Sequence, residues 1–125
     1  MTLDHIPFLD LKPEEDNAAI ENAITRVIES GHFILGPEVQ AFEREFAEAS
    51  ALTHAVGVGN GTDALCLLLE GLGIGAGDEV ITTALSAGFT AIAIIRSGAT
   101  PVFVDIDEDR LTLDPAAVRS AMTSR

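Results

Sequence analysis

Nine residues, Gly57-Val58-Gly59-Asn60-Gly61-Thr62-Asp63-Ala64-Leu65, place three glycines and an Asn directly before a helix-forming run. That pattern suits an anion. Glycine tolerates positive φ and lets a ligand approach the backbone, and the first N–H groups of a helix point outward at the positive end of its dipole. The free amides are expected near Thr62, Asp63 and Ala64, where a phosphate ester would sit. The same residue types also turn a chain and cap a helix with no ligand present, so both readings stand on these residues alone.

Other chemistries find little support. His5, His32 and His54 are scattered among apolar neighbours, which suggests structural roles and no metal site. The single Cys66 excludes an internal disulfide and a cysteine metal cluster, and its place in an apolar helical run reads as a small buried hydrophobe. Twenty acidic residues against seven basic ones give a formal charge of −13, which repels nucleic acid and anionic membrane surfaces. The amino terminus lacks a basic segment followed by a long apolar run, and a cytoplasmic protein is expected.

Several elements must position the glycine-rich stretch. His54-Ala55-Val56-Gly57-Val58 reads as a buried strand leading into it, and Ala64 to Leu72 as the helix leading out. Upstream, Ile6 to Lys12 forms an apolar arm, and Pro13 opens a helix with Glu14, Glu15 and Asp16 in its first turn. Ile20, Ile24, Val27 and Ile28 give that helix an apolar face, and Gly31 ends it. Pro37 begins a second helix with Val39, Phe42 and Phe46 on its apolar side and a solvated acidic face. The glycines from Gly71 to Gly77 follow a helix and precede a strand, so they stop and turn the chain.

A strand over Glu79 to Thr83, a helix over Gly88 to Ser97 with Ile92, Ile94 and Ile95 buried, and a strand over Pro101 to Asp105 follow. Asp114 then caps a helix begun by Pro115 that runs through Val118 and Met122 to the end. Two helices followed by three strand-helix units argue an α/β fold with a parallel sheet, its ligands at the carboxyl ends of the strands. With no Trp, no Tyr and six Phe, the core is expected to be Ala, Ile, Leu and Val. A dinucleotide site built on Gly57, Gly59 and Gly61 is disfavoured, because Glu79, at the right spacing for a ribose-binding acid, starts a strand instead of ending one.

Five blocks together resemble the amino-terminal part of the DegT/DnrJ/StrS sugar aminotransferases. They are Ile6 to Leu11, Gly31 to Val39, Asn60 to Leu65, Gly77 to Ile81 and Gly98 to Asp105. The resemblance implies a fold type I enzyme using pyridoxal phosphate, here a partial three-layer helix/mostly parallel sheet/helix large domain. It implies one incomplete domain, with residues 1–36 as arm and first helix and residues 37–125 as the start of the cofactor-binding part. By the resemblance Gly61, Thr62, Asp63 and Ala64 hold the cofactor phosphate, with Thr62 and Asp63 in contact. The family's ring-stacking aromatic aligns with Ala87, so Phe89, two residues on, either supplies that face after a loop shift eased by Gly88 or belongs to the core.

Aminotransfer with this cofactor needs a lysine amine to hold it as a Schiff base and to move a proton. The one lysine, Lys12, lies in the arm at a family position with no such role. The resemblance places the catalytic lysine beyond Arg125, so a truncated chain that does not transaminate alone is expected. In the full-length family the implied substrates are a keto sugar on a nucleotide and an amino-acid donor, glutamate, and the implied assembly is a homodimer. The alternative is a non-catalytic remnant or interaction protein that associates with full-length relatives through surface left uncovered by a shortened sheet.

Overall fold

The computed structural model describes residues 16–124. The apolar arm and the helix start at Pro13 to Glu15 lie outside the described residues. The chain divides between Gly57 and Val58 into two compact units.

In the first unit α1 spans Asn17–Ser30 and α2 spans Pro37–Ala49. Asp16, expected in the first turn of α1, is its N-cap residue instead and makes no side-chain cap hydrogen bond. The Gly31 amide closes α1 by donating to Val27 and Ile28 carbonyls at 3.1 and 3.3 Å. Between the helices Gly36 is squeezed against His32, whose carbonyl oxygen would stand 2.7 Å from any Cβ there, so only glycine fits. Arg26 on α1 grips Glu38 on α2 with two hydrogen bonds, Nε to Oε1 at 2.6 Å and Nη2 to Oε2 at 3.0 Å. Charge and hydrogen bonding from Arg26 lower the Glu38 pKa, the hydrogen bond contributing most. The apolar stripes form as the spacing requires, yet Ile24, Ile28, Phe42 and Phe46 stay exposed among the described residues, with only Ala47 buried in α2. Phe42 and Phe46, one turn apart, pair with ring centroids 5.6 Å apart.

The second unit holds α3 (Gly61–Gly71), β1 (Glu79–Thr83), α4 (Phe89–Arg96), β2 (Thr100–Val104) and α5 (Pro115–Ala121). β1 and β2 pair in parallel, Glu79 opposite Thr100 through Thr83 opposite Val104, with α4 as the crossover that parallel pairing requires. α4 packs on α3 and on both strands, and α5 packs on β2. Among the described residues the buried set of this unit is small: Cys66, Thr82, Ala93, Ile94 and Ala99, with Ile94 the largest side chain fully enclosed. Close layers built on Ala and Ile fit the composition.

Three further expectations need correcting. Residues 54–58 form no strand: a strand exists by pairing, and no described segment pairs with them. The Gly57 amide donates to the Glu43 carboxylate at 2.7 Å instead, and Val56 is largely exposed. Of Ile92, Ile94 and Ile95 only Ile94 is buried, next to Ala93, because the 100° step of a helix turns the other two outward. α5 stops at Ala121, and Met122 is extended and exposed. Gly73 and Gly77 do turn the chain between α3 and β1, both at positive φ. Among the described residues no helix is long and apolar enough to cross a membrane.

Candidate functional site

The start of α3 is fixed by its own residues. Asn60 is extended, and its Oδ1 accepts from the Asp63 amide at 2.9 Å, while its carbonyl accepts from the Ala64 amide at 3.1 Å. Two of the amides expected to be free are therefore used within the helix. The Gly61 and Thr62 amides meet no acceptor among the described residues. Thr62 is half-buried and Gly61 exposed.

These two amides belong to an open cavity of about 920 Å³. One wall is Asn60, Gly61, Thr62, Ala64 and Leu65 from the start of α3. The opposite wall is Ser86 and Ala87 from the loop after β1, then Phe89, Thr90 and Ile92 along α4. The cavity thus lies beyond the carboxyl end of a parallel strand, where α/β sheets bind ligands. Its volume falls in the range of small-molecule sites. Phe89, the first residue of α4, is 62% exposed and so is not core among the described residues. Ala87 and Phe89, the two candidates for a ring-facing position, line the same cavity.

Asp63 sits differently from its neighbours. Its Oδ2 accepts from Asn60 Nδ2 at 2.8 Å and its Oδ1 accepts from Arg96 Nη1 at 2.6 Å. The carboxylate lines a neighbouring cavity of about 370 Å³ with Cys66 and Glu70, while Arg96 borders both spaces. Among the described residues Arg96 is the one charged side chain lining the larger cavity, and the Asp63 hydrogen bond and charge raise its pKa further. Behind α3, burial pushes the Cys66 thiol pKa up, with the Glu70 carboxylate, 3.4 Å from Sγ, adding to the shift. The structure therefore brings Gly61, Thr62, Ala64 and Phe89 to one cavity and turns the Asp63 side chain to the other side.

Asn60 and Arg96 were not singled out from the sequence. Asn at the residue before a helix with an acid three positions on is a capping signal that could have marked Asn60. Nothing local marks Arg96, which meets Asp63 across 33 positions of sequence.

Comparison with known proteins settles the ancestry. The model of the DegT/DnrJ/EryC1/StrS aminotransferase family matches residues 14–125. The chain belongs to that family. It is 51% identical over 122 residues to a Streptomyces venezuelae dTDP-3-amino-3,4,6-trideoxy-alpha-D-glucose transaminase, covering 96% of this chain and 32% of the relative. The crystal structure of S. venezuelae DesV in complex with a ketimine intermediate superposes with a TM-score of 0.89 at 51% identity, over 96% of this chain and 33% of that one. NtdA from Bacillus subtilis, solved with bound cofactor PMP, superposes with a TM-score of 0.89 at 31% identity, over 99% of this chain and 29% of that one. The chain spans about a third of the length of the curated relatives it matches. Its fold is the corresponding part of a fold type I aminotransferase; NtdA was solved with bound PMP and the Streptococcus pneumoniae putative sugar aminotransferase Spr1654 in a PLP form.

Proposed function

We propose that the start of α3, Gly61 to Ala64, forms the phosphate seat of a pyridoxal-phosphate site, with Gly61 and Thr62 as the donors, Ala64 in the wall and the Asp63 carboxylate turned behind it, and that Phe89 with the loop before it forms the ring-facing wall. The parent activity is amination of a nucleotide-linked keto sugar, with an amino acid, glutamate, as donor. The observation that carries this reading is the single cavity that gathers the open amides of Gly61 and Thr62 with Ala87 and Phe89. A phosphate ester fits these groups: two N–H donors at a helix start, a threonine hydroxyl, and a cation as the only charged side chain at the cavity among the described residues. The S. venezuelae relative is a dTDP-sugar transaminase, which supports the sugar-nucleotide substrate class.

When bound, the cofactor supplies the electron sink for carbanion chemistry. This chain's residues bind and orient. Gly61 and Thr62 donate to phosphate oxygens, Asn60 fixes the helix start that aims them, and the Phe89 segment limits the space for a ring. The 125 residues contain one lysine, Lys12, in the amino-terminal arm, so the chain alone is expected to bind without transaminating. A homodimer in the cytoplasm is the assembly that the family reading carries.

Pyridoxamine phosphate fluorescence tests the seat, since the chain has no Trp or Tyr to interfere and the amine form of the cofactor cannot couple to Lys12. Saturable binding displaced by inorganic phosphate is expected, weakened roughly tenfold or more by Thr62→Val, which removes a charge-assisted hydrogen bond. No saturable binding by the unsubstituted chain, or unchanged binding by Thr62→Val, would overturn the seat.

A further inference from the structure

A phosphate seat one residue away from a carboxylate has an electrostatic difficulty. Asp63 is the third residue of α3, and a free carboxylate there would repel an anion at Gly61 and Thr62. Three contacts remove the difficulty. Arg96 Nη1 donates to Asp63 Oδ1 at 2.6 Å, Asn60 Nδ2 donates to Asp63 Oδ2 at 2.8 Å, and the Asp63 amide donates back to Asn60 Oδ1 at 2.9 Å. Both carboxylate oxygens are thus held, and the group borders the smaller cavity and not the larger one. Its charge is matched by a guanidinium that reaches over from the last turn of α4.

Resting on the phosphate-seat reading above, we infer that Arg96 is a positioning residue for that seat: it holds Asp63 away from the anion, neutralises it, and keeps Asn60 locked as the cap that aims the Gly61 and Thr62 amides. Arg96 acts through Asp63 and Asn60, without needing to touch the phosphate. It also links the two walls of the cavity, because Arg96 ends the helix that Phe89 begins while Asp63 lies in the first turn of the other. Ion pairing between half-exposed groups is screened by salt, so the effect belongs to affinity and its ionic-strength dependence more than to fold stability.

The test is a titration of the 125-residue chain with pyridoxamine phosphate at low and high salt, with inorganic phosphate as competitor. Arg96→Met is expected to weaken binding about tenfold at low salt, a loss that shrinks as salt rises, while Arg96→Lys retains most of the affinity. The decisive variant is Arg96→Met combined with Asp63→Asn. Removing the unmatched carboxylate should restore affinity to within about threefold of the starting chain, a rescue that a merely structural arginine would not show. Unchanged binding by Arg96→Met overturns the inference. Loss without rescue by Asp63→Asn also overturns it and assigns Arg96 to direct phosphate contact. If the unsubstituted chain does not bind, the seat itself falls and this role falls with it, a result distinct from the other two. Circular dichroism of each variant separates any loss of fold from loss of affinity.

Discussion

Two helices open on the same cavity by different means. α3 starts on Asn60, extended and bonded through its side chain to the Asp63 amide, so four neighbouring residues secure the turn. α4 starts on Gly88, which is already helical at φ −57° and ψ −7° and makes no side-chain cap hydrogen bond. What secures α4 is burial: Ala93 and Ile94 are essentially inaccessible between α3 and the two strands. One wall of the site is thus written locally and the other is held in place from behind. The donor-bearing wall is capped locally, and its one brace from α4 is the Arg96 hydrogen bond to Asp63.

The largest expected effect follows from the wall that depends on packing. Ile94→Ala should destabilise the second unit by roughly 2–5 kcal/mol, since it removes the largest fully buried side chain and leaves a cavity. Urea denaturation followed by far-UV circular dichroism would read it. A cost below about 1 kcal/mol would mean that α4 is not held by burial.

Asn60→Ala attacks the locally built wall. It should cost about 1 kcal/mol by the same measurement, the usual worth of a side-chain N-cap, and weaken pyridoxamine phosphate binding more than Ile94→Ala does in the folded fraction. Equal binding by Asn60→Ala and the unsubstituted chain would remove the distinction between the walls.

The smallest effect sharpens the contrast. Capping side chains act from an extended backbone, and Gly88 is helical, so Gly88→Asn should change stability by no more than about 0.5 kcal/mol. A gain approaching the cost of Asn60→Ala would show that α4 can be capped as α3 is.

Much of this organisation was legible in the residue pattern. Pro37 at the start of α2, Gly31 closing α1, Asp114 capping α5 and the turn glycines between α3 and β1 all act within a few residues, and all occur where the pattern placed them. The same locality makes Asn60 to Ala64 readable as a helix start. Three features were not legible. The strand expected at residues 54–58 depends on a pairing partner that its own residues do not encode. Which of Ile92, Ile94 and Ile95 is buried depends on what lies against each side of α4. The Arg96 to Asp63 contact depends on two helices packing together, and no spacing rule reaches across 33 residues.

The sequence by itself determined most of the helices, the β1 and β2 segments, the caps at Gly31 and Asp114, the anion-suited turn and the family, because propensity, capping and glycine geometry operate over short stretches of chain. Only the tertiary structure decided that Ala87 and Phe89 share a cavity with Gly61 and Thr62, and that the Asp63 carboxylate faces away from it. The physical reason is that a cavity and an ion pair are properties of surfaces brought together by burial, and burial is settled by which helices and strands pack on one another.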